Sequence, residues 1–127
     1  MAIILCIDDE PSSLQARKFL LESEGHQVIE AASGKEGLRI FQSQNIDAVV
    51  LDYWMSGMNG LAVAQEIKRL RPHTPIIILS GFPELPGEAV GLADRWILKG
   101  RGTRDLLAAI AELVPPLQRD ESMESGA

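Results

Sequence analysis

The sequence predicts an α/β fold built on a doubly wound parallel sheet, and three observations predict it. Apolar runs and amphipathic segments alternate along the chain, as βα units do. The central runs are continuously apolar rather than alternating, which suits strands covered on both faces. Each of four runs is followed by a polar residue: Asp8 and Asp9 after Ile3 to Ile7, Asp52 after Ala48 to Leu51, Ser80 after Ile76 to Leu79, and Lys99 after Trp96 to Leu98. In a parallel sheet the carboxyl ends of the strands share one edge, and ligands bind in the crevice there.

Residues 2–7 read as the first strand. Residues 12–24 read as a helix, with Pro11 suited to its first turn and Gly25 closing it. Residues 26–31 are shorter and more polar, which suggests an edge strand. Ser33 and Glu36 have the spacing of a capping box before a helix face carrying Leu38 and Phe41. Residues 47–51 form a buried strand. Asn59 to Leu70 forms a helix with Leu61, Ala64 and Ile67 inward, stopped by Pro72 and Pro75. Residues 75–79 are the most apolar strand. Breakers fill Gly81 to Gly87, so the helix that follows, at about 87–92, must be short or irregular. Residues 94–98 form the last strand. Thr103 could cap a final helix with Leu106, Leu107, Ile110, Leu113 and Val114 inward. Pro115 and Pro116 end it. The expected domain is 1–114, and 115–127 is expected to be a disordered polar tail.

Five strands joined by right-handed crossovers leave few strand orders. The polar second strand belongs at an edge, and the first, third and fourth belong in the centre. The order 2-1-3-4-5, the flavodoxin-like one, satisfies this. It gathers Asp8, Asp9, Asp52, Ser80 and Lys99 at one edge. Three carboxylates so close repel one another unless a cation joins them. The cluster therefore predicts a divalent metal, and chemistry on an anion that Lys99 can pair with.

The chain has 127 residues, a net charge of −6 and a pI near 4.8. Its length suits one domain. Its charge argues against unaided nucleic-acid binding, which draws on Lys and Arg against phosphate. Lys68, Arg69 and Arg71 read as favourable charges at a helix C-terminus. Arg95, Arg101 and Arg104 read as solvated or partner-facing. The single cysteine, Cys6, lies in an apolar run and reads as a small buried hydrophobe. The first residues do not read as a signal peptide, and no run approaches the roughly 18 apolar residues of a membrane span. A cytoplasmic protein is expected.

At this point the residues resemble the receiver domain of two-component response regulators. The marks are Asp8-Asp9, Leu51-Asp52 with Met55, Met58, Asn59 and Gly60, then Ser80-Gly81, then Lys99, in order from about Ile3 to Val114. Any one alone is weak, and together they are specific. The resemblance implies that Asp52 accepts a phosphoryl group from a histidine kinase or phosphotransfer protein, giving an acyl phosphate. It implies Mg²⁺, or Mn²⁺, held by Asp9, Asp52 and the backbone carbonyl of Trp54, with Asp8 directly or through water; such all-oxygen sites suit Mg²⁺. Lys99 would pair with the phosphoryl oxygens, and the Ser80 hydroxyl would move to bond them. The implied protein is a stand-alone switch, monomeric or weakly dimeric. Its output would pass to an unknown downstream protein or onward by phosphotransfer.

The sequence departs from the family pattern in four places. Gly100 stands where proline in a cis peptide usually follows the lysine; a non-proline cis bond costs about 2.5–4 kcal/mol, which predicts a trans or mobile loop. Ser56 replaces a proline after Met55. Trp96 stands at the aromatic switch position, where Tyr or Phe is usual; its larger ring is expected to stay outward and serve a partner. The stretch from Ser80 to Lys99 is a few residues short, which implies a modified output face around Phe82 to Gly87. Trp54 and Phe82 flank the expected phosphate and would screen it from water.

Blander readings stand beside these. Asp8 could cap the first helix, Ser80 could be an ordinary strand-end hydroxyl, and Lys99 could be a structural partner of Asp52. Glu10, His26 and His73 read as surface residues. A phosphorylation-independent interaction module is the alternative function. A Mg²⁺-dependent phosphatase with an aspartyl nucleophile is disfavoured, because its two acids should lie two apart whereas Asp8 and Asp9 are adjacent.

Overall fold

The structure, a computed structural model, describes residues 2–55, 57, 59–81, 87, 91–99 and 103–114. In chain order the elements are β1 (Ile3–Ile7), α1 (Pro11–Ser23), β2 (Gln27–Ala31), α2 (Gly34–Ser43), β3 (Ala48–Asp52), α3 (Gly60–Leu70), β4 (Ile76–Ser80), β5 (Arg95–Leu98) and α4 (Thr103–Leu113). The strands form one parallel sheet in the order β2-β1-β3-β4-β5, as expected. β3 and β4 are buried at every residue, whereas β2, at one edge, buries only Val28 and Ala31 and β5, at the other, is half-buried throughout.

The sheet is covered on both faces, and residue parity decides which face a side chain serves. Ile4 and Cys6 of β1, Ala48 and Val50 of β3, and Ile77 and Leu79 of β4 pack with Leu14 and Leu21 of α1 and Leu106 and Ile110 of α4. The alternate residues, Leu5, Ile7, Val49, Leu51, Ile76 and Ile78, pack with Phe41 of α2 and Val63, Ala64 and Ile67 of α3.

Local chemistry sets the element ends. α1 begins at Pro11, which lacks the N–H that a first helical residue would leave without an intrahelical partner. It ends in a left-handed turn: Gly25 has φ of 90°, and the His26 N–H donates back to the Leu21 carbonyl at 3.2 Å. Ser33 Oγ accepts from the Glu36 N–H at 3.1 Å, and Glu36 Oε1 accepts from the Ala32 N–H at 3.0 Å. The capping box is thus present, with the glutamate reaching one residue further back than the simple pattern has it. Asn59 Oδ1 caps α3 by accepting from the Ala62 N–H at 3.0 Å.

β3 and β4 each begin and end one residue later than the expected 47–51 and 75–79, so Asp52 and Ser80 are the last residues of strands. The basic residues closing α3 do more than complement the helix end. Lys68 Nζ donates to the Thr74 carbonyl at 2.7 Å and pairs with Asp94 Oδ2 at 3.1 Å, and that oxygen also accepts from the Ile76 N–H at 2.8 Å. The Arg71 guanidinium lies 4.4 Å over the Phe41 ring. Arg95 pairs with Glu112 of α4. The expected short helix falls mostly on undescribed residues, and so do Phe82, Ser56, the Lys99–Gly100 bond and the expected tail at 115–127.

Candidate functional site

The carboxyl ends of β1, β3 and β4, with the residue after β5, converge as the topology requires. Asp8 follows β1 and is fully buried; Asp9, next to it, is exposed. Asp52 ends β3 and is buried, and Ser80 ends β4 with no exposure. Asp52 pairs across from Leu79 in the β3–β4 ladder, which sets Ser80 on the adjoining strand end. The Lys99 N–H donates to the Ser80 carbonyl at 2.7 Å, continuing the β4–β5 ladder by one rung. That rung aims the lysine at the cluster, where Nζ meets Asp52 Oδ1 at 2.9 Å.

Carboxylate oxygens of Asp8, Asp9 and Asp52 lie within 4.8 Å of one another. Hard oxygen donors so grouped are what Mg²⁺ or Mn²⁺ would take. Without such an ion the site is electrostatically uncomfortable. Burial pushes the Asp52 carboxyl above its usual range; the hydrogen bond from Lys99 opposes this, the Asp8 charge adds to it, and the charges of Lys99 and Arg17 pull it down.

The loop after Asp52 is held against the start of α3. The Gly60 N–H donates to the Tyr53 carbonyl at 2.8 Å. A Cβ at Gly60 would stand 2.7 Å from the Asp52 carbonyl oxygen and 2.9 Å from Tyr53 Cα. Glycine is needed there for close backbone approach. Trp54 is 56% exposed. Its ring meets Tyr53 edge-on at 4.9 Å, and Tyr53 meets Trp96 at 5.4 Å. Trp96 is half-buried against the α2–α3 side of the core. It is therefore less outward than its size suggested, because Tyr53 gives its ring an aromatic edge to pack on.

Asp8 does not cap α1, which begins without a side-chain cap. Its Oδ1 accepts from the Glu10 N–H at 3.0 Å, a turn contact leading into α1, while its carboxylate also belongs to the acidic cluster. Glu10 precedes α1 without a side-chain cap, and His73 is exposed. His26 is half-buried, its Nδ1 accepting from the Ala2 N–H at 3.2 Å, and burial lowers its pKa. Sequence reasoning missed Arg17. Its Nη1 meets Asp8 Oδ2 at 3.1 Å, with the arginine side chain 10% exposed and that of the aspartate 0%. A signal was available: Leu14, Arg17 and Leu21 share one helical stripe, and the two leucines are core. An arginine in an apolar stripe, on the helix directly after Asp8, needs a buried acid.

Comparison with known proteins gives one answer. The family profile described as "Response regulator receiver domain" matches residues 4–111. The chain is 38% identical over 85 residues to the transcriptional regulatory protein GlrR of Escherichia coli, covering 67% of this chain and 19% of that protein. Other curated relatives are matched over about half their length, as with the 50% of a probable transcriptional regulator of Porphyridium aerugineum. Among solved structures, the response regulator TrrA of Thermotoga maritima in complex with Mg²⁺ and BeF superposes with a TM-score of 0.85 at 33% identity, covering 90% of this chain and all of TrrA. TrrA bound to the histidine kinase ThkA matches with a TM-score of 0.83. The fold, the order of the strand-end residues and these matches agree, and the chain belongs to the response regulator receiver domain family.

Proposed function

We propose that the chain is a phosphorylation switch that accepts a phosphoryl group on Asp52 from a histidine kinase or a phosphotransfer protein. The observation that carries this reading is the contact of Lys99 Nζ with Asp52 Oδ1 at 2.9 Å, inside a cluster that also holds the oxygens of Asp8 and Asp9. An Asp52 carboxylate oxygen would form the new bond to phosphorus as the donor's bond to phosphorus breaks, leaving an acyl phosphate. Asp8, Asp9, Asp52 and the Trp54 carbonyl would hold Mg²⁺, which supplies positive charge for the phosphoryl oxygens. Lys99 releases Asp52 and pairs with those oxygens, and the Ser80 hydroxyl bonds another. The added charge, roughly −1.5 to −2 by analogy with other phosphorylated residues, is what a two-state surface responds to.

The complex of TrrA with a histidine kinase supports a kinase as partner, and the Mg²⁺–BeF complex of TrrA supports the metal. Trp96, in contact with Tyr53 directly after Asp52, would carry the change towards β5. Output goes to a protein that reads the β4–β5 side, or onward by phosphotransfer.

Intact mass after incubation with Mg²⁺ and acetyl phosphate tests this. The wild type gains one hydroxylamine-labile phosphoryl group and Asp52→Asn gains none. If neither gains one, and beryllofluoride leaves tryptophan fluorescence unchanged, the chain works instead as a phosphorylation-independent binding module.

A further inference from the structure

We propose that Arg17 is a resident counter-cation of the acidic cluster and sets how tightly the cluster takes a divalent metal ion. The inference rests on reading Asp8, Asp9 and Asp52 as metal donors. Both oxygens of Asp8 are already engaged: Oδ1 accepts from the Glu10 N–H at 3.0 Å, and Oδ2 meets Arg17 Nη1 at 3.1 Å. A metal drawing on Asp8 must share Oδ2 with the guanidinium or displace it.

The charge of Arg17 is not lost to solvent. Its side chain is 10% exposed and that of Asp8 not at all, so the pair is screened far less than a surface pair would be. The effect reaches past Asp8, because the carboxylate oxygens of Asp8, Asp9 and Asp52 lie within 4.8 Å of one another. Among the described residues, three carboxylates of the cluster face two cations, Lys99 and Arg17. Removing the second leaves a more negative site and a stronger attraction for a divalent ion.

Packing alone does not call for an arginine here. Leu14 and Leu21 flank it on the inward stripe of α1. A buried ion pair is often no more stabilising than apolar side chains of the same volume. A guanidinium in that stripe is better explained by what it does to the acids than by what it adds to the fold.

Mg²⁺ titration of the full chain, followed by tryptophan fluorescence and by calorimetry, tests this on the wild type, Arg17→Gln and Arg17→Lys. Arg17→Gln should bind Mg²⁺ about tenfold more tightly than the wild type, at the low end of the 10–100-fold reach of groups next to metal ligands. Arg17→Lys keeps the charge and should stay within about threefold of the wild type. If Arg17→Gln loses its fold in metal-free buffer, Mg²⁺ should restore it, because binding to the folded form alone draws the equilibrium back. A purely structural arginine predicts the opposite: Arg17→Gln binds Mg²⁺ no more tightly, or stays unfolded whatever the Mg²⁺ concentration, and either result overturns the inference. So does Arg17→Lys binding as tightly as Arg17→Gln. A wild type that binds no Mg²⁺ removes the metal site itself; a wild type that binds it, with Arg17→Gln unchanged, removes only the role of Arg17.

Discussion

Asp8 and Asp52 stand at the ends of neighbouring strands, both buried, each with one cation within 3.1 Å. The cations differ. Arg17 comes from the inward stripe of α1 and is enclosed, whereas Lys99 comes from beyond edge strand β5 and is 37% exposed. An enclosed pair has no water to replace a lost partner, while a half-exposed lysine can leave its carboxylate at little cost. One acid is tied down and the other is left free to exchange partners, as the proposed phosphoacceptor must be.

Breaking the enclosed pair should have the largest effect. Arg17→Gln leaves a buried, uncompensated carboxylate and should cost about 3–5 kcal/mol of stability in metal-free buffer, measured by urea unfolding. Next comes the backbone that positions Asp52. Gly60→Ala presses a Cβ onto the Asp52 carbonyl and should cost about 1–3 kcal/mol, with a marked loss of phosphoryl acceptance. A Gly60→Ala variant as stable and as active as the wild type would show that the loop yields easily.

The third prediction concerns pH. The folded-state pKa of Asp52 is raised, so the native form keeps a proton at pH values where the unfolded carboxyl has lost it. Stability from this group is present below the unfolded value and is lost as pH rises through the folded one. Without metal, Asp52→Asn should therefore raise the melting temperature at neutral pH by a few degrees, about what 1 kcal/mol yields in a small domain, and the gain should shrink on acidification. A melting temperature lower than the wild type at neutral pH would mean the Lys99 contact outweighs burial.

The smallest effect sharpens the comparison. Lys99→Ala should change stability by less than about 1 kcal/mol, as a half-exposed pair should, while abolishing phosphoryl acceptance. It should also move the Asp52 titration further up, because Lys99 now holds it down. A loss as large as that of Arg17→Gln would erase the contrast between the two pairs.

Much of this molecule could be read before folding was considered. Continuous apolar runs placed the buried β3 and β4, and the polar second run marked β2 as an edge. Pro11, Gly25, Ser33 with Glu36, and Asn59 announced helix ends because each acts on backbone groups within a few residues. Asp8, Asp9, Asp52, Ser80 and Lys99 were legible because every parallel strand delivers its last residue to the same edge. Misjudging β3 and β4 by one residue was harmless, since a strand-end acid and one just past the end reach the same crevice. The half-buried seat of Trp96 was not legible. It depends on Tyr53 reaching across from another strand end.

Local patterning thus settled the elements, their order and the acids, because periodicity, capping and strand-end placement act within a few residues of chain. Tertiary packing alone decided which cation each acid keeps. Arg17 is nine residues from Asp8 and Lys99 is far along the chain from Asp52, yet folding brings each pair within 3.1 Å and sets how much water reaches it. Those are properties of neighbours in space, which α1 supplies to Asp8 and the open edge of β5 withholds from Asp52.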